Sequence, residues 1–231
     1  MAREKILIVE DEPSLTEVLS YNLQREGYEA IVASDGPEGL RKAQTLLPDL
    51  IILDLMLPGR DGLEVCRDLR ASHRTAGIPI LMLTAKAEET DQVIGFAVGA
   101  DDYVTKPFSV KVLLQRIKAL VRRTGGPELP GEVIEVCGIR LDKRGHRVTL
   151  DGQPVPLTPT EFRLLEALMR QPGRAFTRHD LMEVAMSDAI VLERTVDVHI
   201  KSLRRKLGAA GSCIETVRGV GYRCREEGTA G

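Results

Sequence analysis

Four charged positions in the first half of the chain each follow a short apolar run. Glu10 and Asp11 follow residues 6–9, Asp54 follows residues 50–53, and Lys106 follows residues 103–105. If these runs are buried parallel strands, their carboxyl ends meet at one edge of a sheet, where open α/β sheets bind ligands. Three carboxylates at close range repel one another unless a cation joins them, and Mg2+ is the hard divalent ion that such oxygens favour. The sequence therefore predicts a magnesium site.

Two further residues predict that this pocket handles phosphate. A fourth apolar run, residues 79–83, ends in Thr84, whose hydroxyl can donate a hydrogen bond, and the Lys106 ammonium is a point charge of the kind that binds phosphate. Asp54 is then a candidate phosphoryl acceptor, because transfer to a carboxylate depends on positioning and charge neutralisation. Any one of these residues alone is more often a cap or turn former, so the prediction depends on their combination.

Segments with helical spacing alternate with the strand candidates. This alternation predicts an α/β flavodoxin-like fold, a doubly wound five-stranded parallel sheet of order 2-1-3-4-5, with the first and third strands at the switch point where ligands bind. The helical segments are Leu15–Arg25, Glu38–Leu47, Leu63–Ala71, Asp91–Val98 and Val110–Arg123.

The length of 231 residues suits two domains. We expect a first domain over residues 1–123, a Gly- and Pro-rich linker over 124–131 and a second domain over 132–231.

No apolar run approaches the ~20 residues of a membrane span, and no signal peptide precedes the first strand, so we expect a cytoplasmic protein without a membrane partner. The four cysteines fall in no metal-binding spacing, which predicts reduced thiols.

The second domain begins with short strand candidates and continues with helices. Asp151-Gly152 is a strong hairpin signal. Thr158, Pro159 and Glu161 predict a capped helix start for a helix to about Arg170, and a shorter helix follows over Thr177–Val184. The strand candidates are Val133–Val136, Ile139–Leu141, Arg147–Leu150 and Val155–Leu157.

A third helix is predicted over Glu193–Leu207. Its apolar stripe comprises Val196, Ile200, Leu203 and Leu207, and its other face is basic. A lone helix of this kind is usually a solvated surface helix. Here the helix is followed by a hairpin that has Arg218 in its tight turn. A helix beside a hairpin with a basic tip is the arrangement of a winged helix, which reads double-stranded DNA in the major groove.

The first half resembles the receiver domain of two-component response regulators, which has the CheY-like fold. The resemblance spans residues 3–123 and is carried by the acidic pair 10–11, the segment 53–59 with Asp61-Gly62, Thr84-Ala85 and 106–108. It implies that Asp54 is phosphorylated, that Asp54, Thr84 and Lys106 are the catalytic residues, and that the Lys106-Pro107 bond is cis. Thr84 and Tyr103 would be the switch pair. Mg2+ would be held by Asp11, Asp54 and the Met56 carbonyl, with Glu10 acting through water.

Residues 131–225 resemble the α+β winged helix-turn-helix effector domain of the OmpR/PhoB subfamily. The matching segments are 157–162, 194–200 and 216–222. The resemblance implies that the third helix reads the major groove and that Arg218 enters the adjacent minor groove. Asp197 is expected to pair with a basic neighbour instead. The expected DNA-binding residues are Arg194, Thr195, Val198, His199, Lys201, Ser202, Arg204, Arg205 and Arg218.

The family dimerises through the receiver face of residues 91–123. One ion pair that is usual in this face is missing, because Gln92 and Val112 occupy its positions. An exposed ion pair contributes only ~0–1 kcal/mol to binding, so we still expect a homodimer. The expected dimer-face residues are Asp101, Asp102, Val112, Arg116, Lys118 and Arg122. Residues 185–188 depart from the family's pattern near the loop that is expected to contact RNA polymerase.

These features together predict a phosphorylation-dependent DNA-binding regulator. A sensor histidine kinase would phosphorylate Asp54, and the dimer would bind repeated promoter half-sites. Two alternatives stay open: a regulator that binds DNA without phosphorylation, and an aspartate-nucleophile phosphohydrolase. The second lacks the acid expected two residues after its nucleophile, where Met56 stands, so we predict a protein that is not an enzyme.

Overall fold

The computed structural model describes residues 3–85, 98–124, 133–143, 145–185 and 194–226, without the side chains of residues 122–124 and 194. The chain divides into two compact units, Met1–Gly125 and Gly126–Gly231. Most of the predicted helix Asp91–Val98, and the predicted linker after Thr124, lie outside the described residues. Thr124 itself ends a helix, so the first residue of the predicted linker is helical.

The first unit is built on a parallel five-stranded sheet of order β2-β1-β3-β4-β5, which confirms the predicted topology. Strands β1, β3 and β4 are almost wholly buried because the sheet is covered on both faces, which explains their continuous apolar runs. The strands are β1 Lys5–Val9, β2 Glu29–Ala33, β3 Leu50–Asp54, β4 Ile80–Thr84 and β5 Asp102–Thr105.

Four described helices pack around this sheet. Side chains of Asp35 and Asp61 cap two of them, because each carboxylate accepts a hydrogen bond from a backbone N–H of the first turn: Glu38 N (2.7 Å) and Leu63 N (3.0 Å), respectively. The helices are α1 Pro13–Arg25, α2 Gly36–Leu46, α3 Gly62–Ala71 and α4 Val110–Thr124.

A four-stranded antiparallel sheet of order β6-β7-β8-β9 opens the second unit. The Asp151-Gly152 turn is confirmed, and both residues have positive φ (50° and 79°). The predicted strand Val155–Leu157 is wrong. The strand that pairs with β8 is Gln153–Pro154, because the two-residue turn places Gln153 directly opposite Leu150. The strands are β6 Val133–Val136, β7 Ile139–Asp142, β8 Arg147–Leu150 and β9 Gln153–Pro154.

Three helices follow, and the predicted capping box is present at the first. The Thr158 side chain accepts from Glu161 N (3.3 Å), and the Glu161 carboxylate accepts from Thr158 N (2.8 Å). The predicted stripe of the third helix is completely buried. The elements are α5 Pro159–Arg170, α6 Arg178–Ala185, α7 Arg194–Leu207 and a 3-10 helix over Gly208–Cys213.

The predicted hairpin after α7 consists of β11 Ile214–Val217 and β12 Gly221–Cys224, and we call it the wing. A short strand that the sequence did not reveal, β10 Phe176–Thr177, pairs with β12. A Cβ atom at Gly221 would lie 2.2 Å from the Phe176 carbonyl oxygen, so this pairing requires glycine. The unit therefore has the winged helix-turn-helix arrangement. None of the helices in the described part of the chain combines the length and apolar content of a membrane span.

Candidate functional site

The ends of β1, β3 and β5 bring the predicted acidic and basic residues together. Carboxylate oxygens of Glu10, Asp11 and Asp54 all lie within 4.8 Å of one another. Parallel pairing causes this proximity, because Val9 lies beside Leu53 in the sheet and the acidic residues follow directly. Three carboxylates at one sheet edge are a hard oxygen donor set, so these residues fit Mg2+.

Lys106 neutralises two of these acids. Its Nζ donates hydrogen bonds to Glu10 Oε2 (2.8 Å) and Asp54 Oδ2 (2.7 Å). Burial alone would lower the pKa of Lys106, but the hydrogen bonds to Asp54 and Glu10 outweigh it and raise that pKa. Burial also raises the pKa of Glu10, with Lys106 opposing and Asp54 adding to the shift. The lysine therefore stays charged between the two carboxylates.

Asp54 is held on both of its oxygens. Oδ1 accepts a hydrogen bond from Met56 N (3.0 Å), and Oδ2 faces Lys106. The Met56 side chain points into solvent and is 63% exposed. Gly62 lies against the strand end, where a Cβ atom would be 2.1 Å from the Asp54 carbonyl oxygen. Only glycine fits that position, which gives the Asp61-Gly62 pair a steric role at the site.

The two residues of the predicted switch pair lie on neighbouring strands. Thr84 ends β4 and is completely buried, while Tyr103 lies on β5 and is 6% exposed, so its ring occupies the inward position. The Lys106 backbone N–H donates to the Thr84 carbonyl oxygen (2.6 Å). The Lys106-Pro107 bond is cis, as the resemblance implied.

Asp101 does not belong to the surface that was predicted for the dimer. Its side chain is completely buried, and Oδ2 accepts from Arg70 Nη2 (2.8 Å) and Ile80 N (2.9 Å). Arg70 also donates to the carbonyl oxygens of Gly99, Ala76 and Ile78. The prediction for Asp101 is therefore wrong, because a buried arginine on α3 uses the carboxylate inside the unit.

Other predicted dimer-face residues make pairs within the same chain. Arg116 Nη1 donates to Asp102 Oδ1 (2.8 Å), and Lys118 Nζ lies 2.5 Å from Glu26 Oε2. Val112 is 44% exposed on α4. The Arg122 side chain and the whole of Gln92 lie outside the described residues.

Helix α7 and the wing present part of the predicted DNA-binding set to solvent. Lys201 and Arg205 are exposed on the helix, with Val198 and Ser202 half-buried beside them, and Arg218 is exposed in the wing turn. Within the described residues no carboxylate pairs with any of these three cations. The Arg194 side chain is outside the described residues.

Thr195 and His199 are each only 1% exposed, which contradicts the prediction that they contact DNA. They lie one helix turn apart and directly precede Val196 and Ile200 of the apolar stripe. Because α7 packs against both α5 and α6, the buried face is wider than the stripe alone indicated.

Arg204 has a structural contact instead of a solvent-facing guanidinium. Its Nε and Nη2 donate to the Ile214 carbonyl oxygen (3.0 and 2.6 Å), and Nη2 donates to Thr216 Oγ1 (2.9 Å). Both partners lie on β11. Arg204 thus joins α7 to the wing, a role that the sequence did not reveal because its partners lie 10 and 12 residues away.

Asp197 is an internal partner, as predicted. Its Oδ1 accepts hydrogen bonds from Arg178 Nε (2.8 Å) and the Tyr222 hydroxyl (2.7 Å). The guanidinium carbons of Arg178 and Arg204 lie 5.4 and 5.5 Å from the centre of the Tyr222 ring. Burial and the hydrogen bond to Asp197 raise the pKa of Tyr222, so the phenol stays protonated. These contacts fix the wing relative to α7.

Both units match known family models. Residues 6–118 match the response regulator receiver domain, and residues 152–224 match the C-terminal domain of transcriptional regulatory proteins.

Curated relatives match over nearly the whole chain. A phosphate regulon transcriptional regulatory protein PhoB of Rhizobium meliloti is 49% identical over 94% of this chain and 97% of its own length. The DNA-binding response regulator MtrA of Mycolicibacterium smegmatis is 44% identical over 96% of each chain.

Solved structures agree with these relatives. A mutant of the protein RitR has a TM-score of 0.78 at 29% identity and covers 96% of this chain and 99% of its own. The response regulator DrrB of Thermotoga maritima, an OmpR/PhoB homologue, has a TM-score of 0.51 at 28% identity, over 97% of this chain and all of its own. This chain combines an acidic pocket at a sheet edge with a winged helix, and these regulators match it over nearly its whole length. The protein therefore belongs to the OmpR/PhoB subfamily of two-component response regulators.

Proposed function

We propose that Asp54 is the residue that accepts the phosphoryl group. The observation that carries this assignment is the contact of Lys106 Nζ with Asp54 Oδ2 at 2.7 Å inside a group of three carboxylates. An oxygen of the Asp54 carboxylate would attack the phosphorus of a kinase phosphohistidine, so that a P–O bond forms as the P–N bond breaks and the histidine ring leaves with the electron pair of that bond. The Lys106 ammonium would then donate its hydrogen bond to an oxygen of the transferred phosphoryl group. Its positive charge would thus offset the negative charge of the phosphoaspartate, as it offsets that of the free carboxylate.

We propose Mg2+ as the cofactor, held by Asp11, Asp54 and the Met56 carbonyl, with Glu10 acting through water. When bound, Mg2+ supplies positive charge that offsets the repulsion between these acids and the incoming phosphoryl group. The Met56 N–H keeps Asp54 Oδ1 oriented. Met56 has no carboxylate to activate water, which favours a stable phosphoprotein over a phosphohydrolase.

The switch proposal concerns Thr84 and Tyr103. The Thr84 hydroxyl would turn toward the phosphoryl group, and Tyr103 would stay in its inward position. We propose that the neighbouring strand β5 passes this change from β4 to the surface of α4, where Val112 is exposed. We propose that this surface forms the phosphorylation-dependent homodimer.

The DNA proposal rests on three exposed cations, Lys201, Arg205 and Arg218, which have no acidic partner among the described residues. Lys201 and Arg205 would contact phosphates or guanine edges, and Val198 suits a thymine methyl. Arg218 would enter the minor groove. Two half-sites that are bound together raise the apparent affinity by ~100-fold or more, so a modest dimer equilibrium suffices to control promoter occupancy. RNA polymerase is the further partner that we propose for the bound dimer.

One experiment tests these assignments together. Wild-type protein and Asp54→Ala protein are treated with a small phosphodonor and Mg2+, and each is used to select preferred sequences from random double-stranded DNA. We expect phosphate on the wild type alone, and repeated half-sites enriched by the phosphorylated wild type alone. Equal enrichment by both proteins would favour the regulator that binds DNA without phosphorylation.

A mass spectrum without phosphate on the wild type would contradict the assignment of Asp54. Steady-state hydrolysis of a small phosphoester that Asp54→Asn abolishes would favour the phosphohydrolase instead. Arg218→Ala should weaken DNA binding, whereas Arg223→Ala is the matched control, because Arg223 lies on the same hairpin and already pairs with Glu215 (2.8 Å).

A further inference from the structure

Three of the four cysteines converge at the base of the wing. Cys213 Sγ lies 3.3 Å from Cys224 Sγ, and the Cys137 side chain hydrogen-bonds to Cys213. The three residues come from separate elements: the turn between β6 and β7, the end of the 3-10 helix and the end of β12. All four cysteines lie among the described residues, and none of them forms a disulfide.

Backbone hydrogen bonds hold Cys213 and Cys224 close to each other. Arg225 N donates to the Cys213 carbonyl oxygen (2.9 Å), and Gly173 N donates to the Cys224 carbonyl oxygen (2.8 Å). Cys224 is also paired with Ile214, the residue after Cys213. A disulfide needs the two sulfurs at about 2.05 Å, so the sulfurs of Cys213 and Cys224 must move closer than their present 3.3 Å.

The accessible member of this group is Cys137. Cys213 and Cys224 are 2% and 1% exposed, whereas Cys137 is half-buried. Cys137 lies in the turn between β6 and β7, where its φ is 52°. An oxidant in solvent therefore meets Cys137 first.

We propose that Cys137, Cys213 and Cys224 form an oxidation site for peroxides, in which Cys137 reacts first and a Cys213–Cys224 disulfide is the final product. This site is independent of the phosphoacceptor pocket. It adds a redox modification to the DNA-binding unit.

The chemistry balances in three steps. Cys137 Sγ attacks a peroxide oxygen, an S–O bond forms as the O–O bond breaks, and the thiol proton leaves with the released oxygen as water, which gives a sulfenic acid. Cys213 Sγ attacks that sulfur, an S–S bond forms, and hydroxide leaves with the Cys213 proton as a second water. Cys224 Sγ then attacks Cys213 Sγ, the Cys213–Cys224 bond forms as the Cys137–Cys213 bond breaks, and the Cys224 proton passes to Cys137, which is regenerated as a thiol. Two thiols lose two electrons, and one peroxide becomes two waters.

Proximity matters here because the Cys213 thiol is a poor nucleophile at neutral pH and reacts only with a sulfur that is held close to it. The neighbouring Cys224 thiol and burial both raise the pKa of Cys213, so it is protonated at neutral pH. Cys66 provides an internal comparison in the receiver unit. It is buried without a neighbouring cysteine, and burial raises its pKa to about 11.

The test uses the full chain and hydrogen peroxide. The reaction is quenched with acid, the protein is unfolded, thiols are alkylated, and the peptides are mapped by mass spectrometry. We expect a linked Cys213–Cys224 peptide that is lighter by two hydrogen atoms and that dithiothreitol reverses, with Cys66 alkylated throughout. Full alkylation of Cys213 and Cys224 after peroxide treatment would overturn the proposal.

Serine variants test the order of the steps. Cys137→Ser should slow formation of the Cys213–Cys224 link at least about tenfold, because the two remaining thiols of this group are buried and a peroxide reaches them poorly. Cys224→Ser should accumulate a Cys137–Cys213 disulfide. An unchanged rate in Cys137→Ser, or a Cys224→Ser protein with all remaining thiols alkylated, would refute the pathway. Circular dichroism of each variant verifies that the DNA-binding unit is folded.

Discussion

The Tyr222 hydroxyl donates a hydrogen bond to Asp197 Oδ1 at 2.7 Å, which joins the wing to the helix that carries the candidate DNA-contacting cations. The Tyr222→Phe substitution removes this bond and keeps the ring between Arg178 and Arg204. We expect a loss of about 1 kcal/mol of unfolding free energy and weaker DNA binding, because the position of Arg218 relative to α7 becomes less defined. Thermal melting and gel shifts measure the two effects. DNA affinity and stability both equal to wild type would contradict the role of this bond.

Lys106 should govern how strongly Mg2+ stabilises the receiver unit. In Lys106→Met, the Glu10 and Asp54 carboxylates stay buried without a cation, which should cost about 3–5 kcal/mol in the absence of metal. Excess Mg2+ should restore more stability to this variant than to wild type. Melting temperatures with and without a chelator measure the difference. Lys111→Met is the matched control, because Lys111 is an exposed lysine on α4. An equal magnesium response in all three proteins would contradict the prediction.

Asp101 should matter for folding and not for a direct contact between subunits. Asp101→Asn weakens the buried pair with Arg70, so we expect the receiver unit to lose about 3 kcal/mol or more of stability. Urea unfolding measures this loss. A variant of wild-type stability that fails only to dimerise would return Asp101 to the dimer face.

Val112, which is exposed on α4, is a better candidate than Asp101 for contact between subunits. Val112→Asp should abolish the proposed phosphorylation-dependent dimer, because a charge would be buried in its interface. Sedimentation of the phosphorylated protein measures the dimer. Val18→Asp on α1 is a matched control, since Val18 is equally exposed at 44%. Dimerisation of both variants would exclude this face of α4.

His146 should make the DNA-binding unit less stable in acid. Its ring stacks on Phe162 with the ring centres 4.0 Å apart, and desolvation at this contact, with the nearby charge of Arg163, lowers the pKa of the otherwise exposed His146 below 6.5. The unfolded chain therefore binds the proton more readily, so stability falls as the pH drops below about 6.5, until the folded form is also protonated. Asn tolerates the positive φ of 47° at this position. We expect His146→Asn to melt with a smaller pH dependence between about pH 7.5 and 5.5, and an unchanged dependence would assign the effect to another group.

The sequence predicted the features that depend on local pattern. Apolar runs located the strand ends, and the end of each run placed Glu10, Asp11, Asp54 and Lys106 at one sheet edge. The capping box at Thr158 was equally readable, because all of its atoms come from four consecutive residues.

Features that depend on distant partners were not predictable. The resemblance assigned Asp101 to the dimer face, and no local pattern revealed its buried partner Arg70, which lies 31 residues away. Thr195 and His199 were assigned to DNA because the helical period gives the direction of a buried face and not its width, which two packed helices determine. The predicted position of β9 was wrong because the Asp151-Gly152 turn sets the register between β8 and β9. The apolar residues at 155 and 157 do not determine it.

One amine between Glu10 and Asp54 has a consequence for the resting regulator. The Lys106 ammonium lies between the two buried carboxylates, so the charge of the chain itself offsets their mutual repulsion. Under the proposed magnesium dependence, a shortage of the ion would slow phosphorylation of the receiver unit without unfolding it.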